Sequence, residues 1–367
     1  MICCDVLIVG AGPAGAIAAL NLASTHQVLL VDKLNAPLPR IGEALPPAAR
    51  RLLADMGLWD DFLQQGHAPC YGNRSLWNGV AAKHDFVRDP DGHGWHLDRA
   101  RFECWLQQHA VNRGAALLPA TTVASVAAIK DGWHVTVDTA TERKAMHAKL
   151  LIDASGRAAT LGRQLGAHRH HHDPLVCLWL SGRDVQSSVD SRSQIEATEQ
   201  GWWYTASLPG QRRVLAFHTD SDLPIARQLR SPAALIEAAM ATTAISEQLA
   251  GAGFVADSDV ALTAAHSATL QPGAGGRWCA VGDAGLSFDP LSSQGLFNAI
   301  YTGLAAAHAC DRRLRGEAAA FDAYTSDLRR IEAAYVRHLQ FFYSQEKRWP
   351  DAAFWNRRHA TVAEPTG

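Results

Sequence analysis

The stretch Asp5-Val6-Leu7-Ile8-Val9-Gly10-Ala11-Gly12-Pro13-Ala14-Gly15 decides the fold of this 367-residue chain. Asp5–Val9 is a short apolar run of the kind that forms a buried strand. Glycines 10, 12 and 15 follow at once and open a helical stretch, 16–23. Val28-Leu29-Leu30-Val31 then reads as a second strand that ends on Asp32. Each part has a task. Gly10 allows the tight turn, Gly12 lets a pyrophosphate approach the backbone, and Gly15 lets helix and strand pack closely. The helix N-terminus, with Pro13 and Ala14, offers unpaired N–H groups and a positive dipole end to phosphates. Asp32 can accept hydrogen bonds from both hydroxyls of an adenosine ribose. The expectation is a Rossmann-type dinucleotide-binding unit.

Composition narrows the partners. A formal net charge of −2 gives no electrostatic case for nucleic acid or an anionic membrane surface. The seven cysteines are an odd number with no C-x-x-C pair, which favours reduced thiols and a cytoplasmic protein. The apolar first twenty residues contain Asp5 and lack a basic lead-in, so the glycine fingerprint explains them better than a signal peptide does. No other stretch of about 18 residues is apolar and free of charge, so no membrane span is expected.

Further along, Asp98-Arg99-Ala100-Arg101-Phe102 opens a helix through Ala110. Strand-like runs follow at 121–128, 134–137 and 150–153, the last leading into Ala154-Ser155-Gly156-Arg157. Another buried run, 278–281, leads into Gly282-Asp283-Ala284-Gly285. Between these lie short alternating runs at 176–180, 202–208 and 213–218, the pattern of antiparallel strands. Ser231-Pro232 reads as N-cap and first residue of one helix running to about Leu249.

Taken together, the early fingerprint, Asp153-Ala154-Ser155-Gly156-Arg157 and Val281-Gly282-Asp283-Ala284 resemble the FAD-dependent hydroxylase superfamily. Ile41-Gly42-Glu43-Ala44-Leu45-Pro46-Pro47 and Asp289-Pro290-Leu291-Ser292-Ser293-Gln294-Gly295-Leu296 are similar to its branch of tryptophan halogenases and geranylgeranyl reductases. They resemble still more the flavoproteins that mature quinone-cofactor amine oxidases, the LodB, GoxB and QhpG types. The resemblance implies a mixed α/β fold. An FAD-binding domain would be built from 1–65, 95–168 and 262–315, an antiparallel-sheet substrate domain from 66–94 and 169–261, and a C-terminal helical segment from 316–367.

The resemblance also implies site residues. Gly282 and Asp283 would close the flavin site, and Asp283 would bind the ribityl chain or pyrophosphate. Arg99 would reach FAD from the second segment, with Arg40 as a further cofactor-binding residue. A helix starting near Ser293, Gln294 and Gly295 would aim N–H groups at the flavin pyrimidine edge. Glu43 and Asp289 are the acid/base candidates, against a plainer reading in which Glu43 caps a helix or holds a loop and Asp289 fixes the turn before Pro290.

The implied activity is that of an FAD-dependent monooxygenase using molecular oxygen through a flavin C4a-hydroperoxide. Its substrate would be a peptidyl tryptophan in the precursor of a quinone-dependent oxidase, on the way to cysteine tryptophylquinone. The alternatives are a reductase of the geranylgeranyl reductase type, a flavin-dependent halogenase and a non-catalytic maturation chaperone. Two departures count against halogenation. Phe62-Leu63-Gln64-Gln65-Gly66 stands where halogenases carry a catalytic lysine, and the nearest lysine is Lys83. Their Trp-x-Trp-x-Ile-Pro signature is also missing: counting back from Pro209, its tryptophan places hold Tyr204 and Ala206. No second glycine fingerprint follows, so reduction would come from transient NAD(P)H contact or a partner reductase.

Three clusters remain. His168-Arg169-His170-His171-His172 lacks the carboxylate or cysteine spacing of a metal site and reads as a solvated linker. Trp202, Trp203 and Tyr204 would either line an aromatic pocket or pack in a sheet core. Trp349, Trp355 and Arg357-Arg358 would form a lid, a docking face or ordinary helix packing.

Overall fold

The structure, a computed structural model, describes residues 2–186 and 190–360; the end of the expected C-terminal segment, 361–367, lies outside the described residues. Strand Ile2–Val9 takes the centre of an eight-stranded sheet. It runs parallel to Val28–Val31 on one side and to Arg143–Asp153 on the other. Ala116–Leu118 extends the sheet beyond Val28–Val31. The eleven-residue strand Arg143–Asp153 is long enough to take two partners on its far side. Antiparallel Gly132–Asp138 covers its first half and parallel Trp278–Ala280 its last three residues. The βαβ order therefore sits at the middle of a sheet whose strands come from three separated stretches of chain.

Helix Pro13–Leu22 begins inside the glycine motif and leaves only one of its ten residues outside the core. A helix apolar on every side must be covered on every side. Strands cover one side, and helices Arg99–Asn112 and Gly295–Leu314 pack on the others. Gly303 makes the last contact possible, because a Cβ there would stand 2.5 Å from the Ala14 carbonyl oxygen. Asp98 caps Arg99–Asn112 by accepting from the Arg101 N–H at 3.0 Å.

A second eight-stranded sheet holds Leu175–Asp184, Arg212–Asp220, Gly201–Leu208 and Ser193–Thr198 in antiparallel order. It then crosses to Gly72–Trp77 through a parallel pairing, the one departure from the antiparallel expectation along this path. Ala68–Cys70 instead joins Gly94–His96 and Ala44–Leu45 in a small three-stranded sheet, so the stretch 66–94 is divided between two sheets.

Two expectations need correction. The helix expected from Ser231-Pro232 to Leu249 is two helices, Pro232–Met240 and Ala244–Ala252. Ser231 does cap the first, accepting from Ala234 N–H at 3.3 Å. The break is made by Glu196, a buried carboxylate on the neighbouring sheet, which accepts from the N–H groups of Thr243, Ala244 and Ile245 at 2.8–2.9 Å. Three donors satisfied by one anion define a new helix N-terminus. The histidine run is no linker either: His168–His171 is a strand paired antiparallel with Ala268–Gln271. Among the described residues no cluster has metal-ligand geometry, and no helix is long and apolar enough to cross a membrane.

Candidate functional site

The glycine motif is shaped by contacts that admit no side chain. Gly10 has φ +107°, and a Cβ there would run into the Ala154 carbonyl. One at Gly15 would run into the Gly10 carbonyl. Gly12 differs, since a Cβ there would meet nothing within 4 Å. The loop is tight behind and open in front, at the N-terminus of Pro13–Leu22, which is the form a phosphate cradle needs. Asp32 braces this loop. Its carboxylate accepts from Ala11 N–H at 2.6 Å and Leu34 N–H at 2.8 Å, and it stays half-buried beside the open face. Gln107, which the sequence reading did not single out, donates to the Ala11 carbonyl at 2.8 Å.

The Gly-Asp turn closes the same region. Gly282 has φ +55°, and a Cβ there would stand 2.9 Å from the Ala14 Cβ. Its N–H donates to Thr302 Oγ1 at 2.8 Å, which ties the turn to helix Gly295–Leu314. Asp283 stays partly exposed, 3.4 Å from the Arg157 guanidinium. At the start of that helix Ser293 takes a left-handed conformation, Gln294 precedes the first turn, and Gly295 again faces open space.

Arg99 lies elsewhere than toward open space. Its guanidinium donates to the carbonyls of Ile41 and Gly42 at 3.2 and 2.6 Å and pairs with Glu103 at 2.6 Å. Arg40 pairs with the other Glu103 oxygen. The two arginines and the buried Glu103 form a clamp under the Glu43 loop, so in this structure Arg99 positions that loop.

Glu43 and Asp289 are both buried, and each holds a tyrosine hydroxyl. Tyr204 donates to Glu43 at 2.6 Å, and Tyr343 donates to Asp289 at 2.7 Å. One strand links the two pairs. On Gly201–Leu208, Trp202 and Tyr204 are two residues apart and share a face. Trp202 Nε1 donates to the Tyr343 hydroxyl at 3.1 Å, while Tyr204 reaches Glu43. Ile41 and Leu291, from the two loop motifs, pack in the same apolar cluster.

Burial pushes the Asp289 carboxyl up to about 6, with Asp173 adding repulsion and the Tyr343 hydrogen bond opposing both. Burial and the Glu43 charge hold the Tyr204 hydroxyl well above the ordinary tyrosine range. The plainer readings of the two acids are also met, because Glu43 accepts from Gly42 N–H and Asp289 caps the turn at Leu291 N–H, both at 2.9 Å. Of the two readings of 202–204, Trp202 and Trp203 follow the one of packing in the sheet core. Trp203 faces the opposite side and packs on Phe217, and Trp202 is buried flat against His218 at 3.6 Å. Trp355 and Arg358 are likewise packed, Trp355 donating to the Thr198 carbonyl and Arg358 pairing with Asp220.

A pyrophosphate-bearing cofactor suits these residues. Gly12 and Gly295 are open where their neighbouring glycines are crowded, and both stand at helix N-termini. The model of the FAD binding domain matches residues 3–339. The chain belongs to that family. LodB of Marinomonas mediterranea, named as an FAD-dependent oxidoreductase, is 31% identical over 98% of both chains. Among solved structures, the myxobacterial chondrochloren halogenase CndH matches with a TM-score of 0.89 at 23% identity, covering 98% of this chain and 86% of the other. The peptidyl tryptophan dihydroxylase QhpG matches with a TM-score of 0.73 at 23% identity, covering 97% and 78%. Family membership makes FAD the cofactor and oxidoreduction the class of chemistry. Gly10, Gly12, Pro13, Ala14, Gly15 and Asp32 would hold its adenosine and pyrophosphate end. Gly282, Asp283 and the N-terminus at Ser293, Gln294 and Gly295 would hold its ribityl and ring end.

Proposed function

We propose that this protein is an FAD-dependent monooxygenase that hydroxylates a tryptophan side chain within a partner polypeptide, the precursor of a quinone-dependent oxidase. Bound FAD, once reduced by NAD(P)H or a partner reductase, supplies activated molecular oxygen for an electron-rich ring. The observation that carries the reading is Tyr204. It stands at a tryptophan place of the halogenase signature and closes on Glu43 at 2.6 Å, putting a carboxylate-bound phenol where the signature has an indole. Glu43 and Tyr204 hold the loop and a proton at its edge. Asp289, with its carboxyl held near 6, can change protonation state close to neutral pH, and the Tyr343 hydroxyl donates to its Oδ2 when it is ionised. The full-length likeness to LodB and the fold shared with QhpG, a peptidyl tryptophan dihydroxylase, support this substrate class.

Halogenation is the competing reading, and the fold of CndH is compatible with it. Against it, Phe62 is buried, Gln64 is exposed, and Lys83 lies on an outer strand paired with Asp85 at 3.1 Å. Co-expression with the oxidase precursor should add one or two oxygen atoms to a single precursor tryptophan, read by peptide mass mapping. The same flavin-loaded protein, given reduced flavin, oxygen, chloride or bromide and free tryptophan, should yield no halotryptophan. Normal quinone formation in a strain lacking this gene, or robust halide incorporation, would refute the proposal.

A further inference from the structure

A cavity of about 470 Å³ is lined by Arg157, Arg163, Ala167, His168, Arg169 and His171. Ala167 belongs to the apolar cluster on the sheet face opposite helix Pro13–Leu22, so the cavity is built on the other face of the sheet from that helix. Three guanidinium groups converge here with little to neutralise them. Arg169 donates to the Ala284 carbonyl and the Ser287 hydroxyl, at 3.1 and 2.8 Å, and both acceptors are neutral. Its Nε is buried and finds no partner among the described residues. Arg157 donates to the carbonyls of His266 and Phe288 and lies 3.4 Å from Asp283. Arg163 is exposed and makes no side-chain hydrogen bond or ion pair among the described residues.

The histidines feel the surplus charge. His266 stacks on His171 with ring centroids 4.4 Å apart, and its Nε2 is also buried and unpartnered. Burial, then Arg157 and His171, hold the His266 ring down to about 4. His171 is lowered by burial and by Arg169 and Arg163. The acids in reach are Asp283, Asp153 and Asp173. Asp153 is buried and accepts from the Ser155 and Gly162 N–H groups, and Asp173 accepts from Leu175 and Ser267 N–H. Of the two orphaned nitrogens, Arg169 Nε belongs to a residue that lines the cavity, and three arginines there leave more donors than acceptors, the condition under which an anion binds.

We propose that this cavity binds a diphosphate group, free or carried by a nucleotide. Guanidinium forks match phosphate oxygens in pairs, and converging forks need a ligand with several charges. A single carboxylate would leave most of them unmatched. Arg157 is shared between the cavity and the Gly282-Asp283 turn, so the occupant would sit one ion pair away from the flavin motif.

The test uses the full chain saturated with FAD and freed of excess. Inorganic pyrophosphate, ADP and NADPH are titrated calorimetrically, while flavin absorbance reports whether FAD is retained. Wild type is compared with Arg163→Ala, Arg163→Glu and a control, Arg143→Ala, which removes a surface arginine paired with Asp138 at 2.7 Å. Pyrophosphate should bind wild type and the control alike. It should bind Arg163→Ala about tenfold more weakly and show no measurable binding to Arg163→Glu. If ADP and NADPH suffer the same loss, the diphosphate is carried by a nucleotide. If pyrophosphate binds and the nucleotides do not, it is free. Absence of binding, equal affinity in all variants, equal loss in the control, or release of FAD during the titration each overturns the proposal.

Discussion

At Asp289 two neutral donors, Tyr343 and Leu291, hold a carboxylate that burial would otherwise keep protonated. Its folded pKa of about 6 lies above the ordinary 3.8. Between those values the folded state binds more protons than the unfolded state. The protonated group's stability contribution is therefore complete below about pH 4 and lost as pH rises through 6, a change on the order of 3 kcal/mol. Asp289→Asn removes the titration. The variant should gain on wild type in urea-unfolding free energy between about pH 4 and about pH 7, and a gap independent of pH would contradict the assignment. Sequence singled out Asp289 and Glu43 through their motifs. It did not find their tyrosines, because Tyr204 lies 161 positions from Glu43 and no local spacing connects them. Tyr335 and Tyr343 had a fainter signal, the eight-residue step that puts both on one helix face. There Tyr335 receives the Asp289 N–H at 2.7 Å.

Among elements, the first strand, helix and strand were plain in the sequence because glycine chemistry and apolar runs are local signals. Helix Arg99–Asn112 was plain because of its capping aspartate. The break at 241–243 was hidden because its cause is on another strand. Glu196 terminates one helix and begins the next from across the sheet, and helical propensity alone carries through the gap. Glu196→Ala would leave three buried or half-buried N–H groups without their acceptor. It should lower unfolding free energy by roughly 2 kcal/mol or more, measured by urea denaturation, and leave FAD affinity unchanged. Loss of FAD with unchanged stability would show that the helix pair serves the cofactor instead. The strand His168–His171 was missed for a similar reason, since its partner Ala268–Gln271 is almost a hundred residues away.

Across the whole molecule, two glycines separate holding the cofactor from holding the fold. Gly12 is extended, with φ −68° and ψ −176°, and faces open space, so valine fits its backbone. Gly12→Val should unfold within about 0.5 kcal/mol of wild type in the absence of FAD, yet fail to retain FAD through gel filtration. Gly303 faces the Ala14 carbonyl and the Ile17 side chain. Gly303→Val should lose FAD and also lose roughly 2–3 kcal/mol of stability as two packed helices are forced apart. Equal stability of both variants would refute the distinction. The contact between Gly303 and Ala14 also has a bearing on biosynthesis. A nascent chain leaving the ribosome exposes its glycine turn early, but the helix that walls it, Gly295–Leu314, is translated much later. Long-range closure of this kind is slow and comes late. Flavin capture thus reports that translation has run past residue 303, and prematurely terminated fragments should leave the cell's flavin pool untouched.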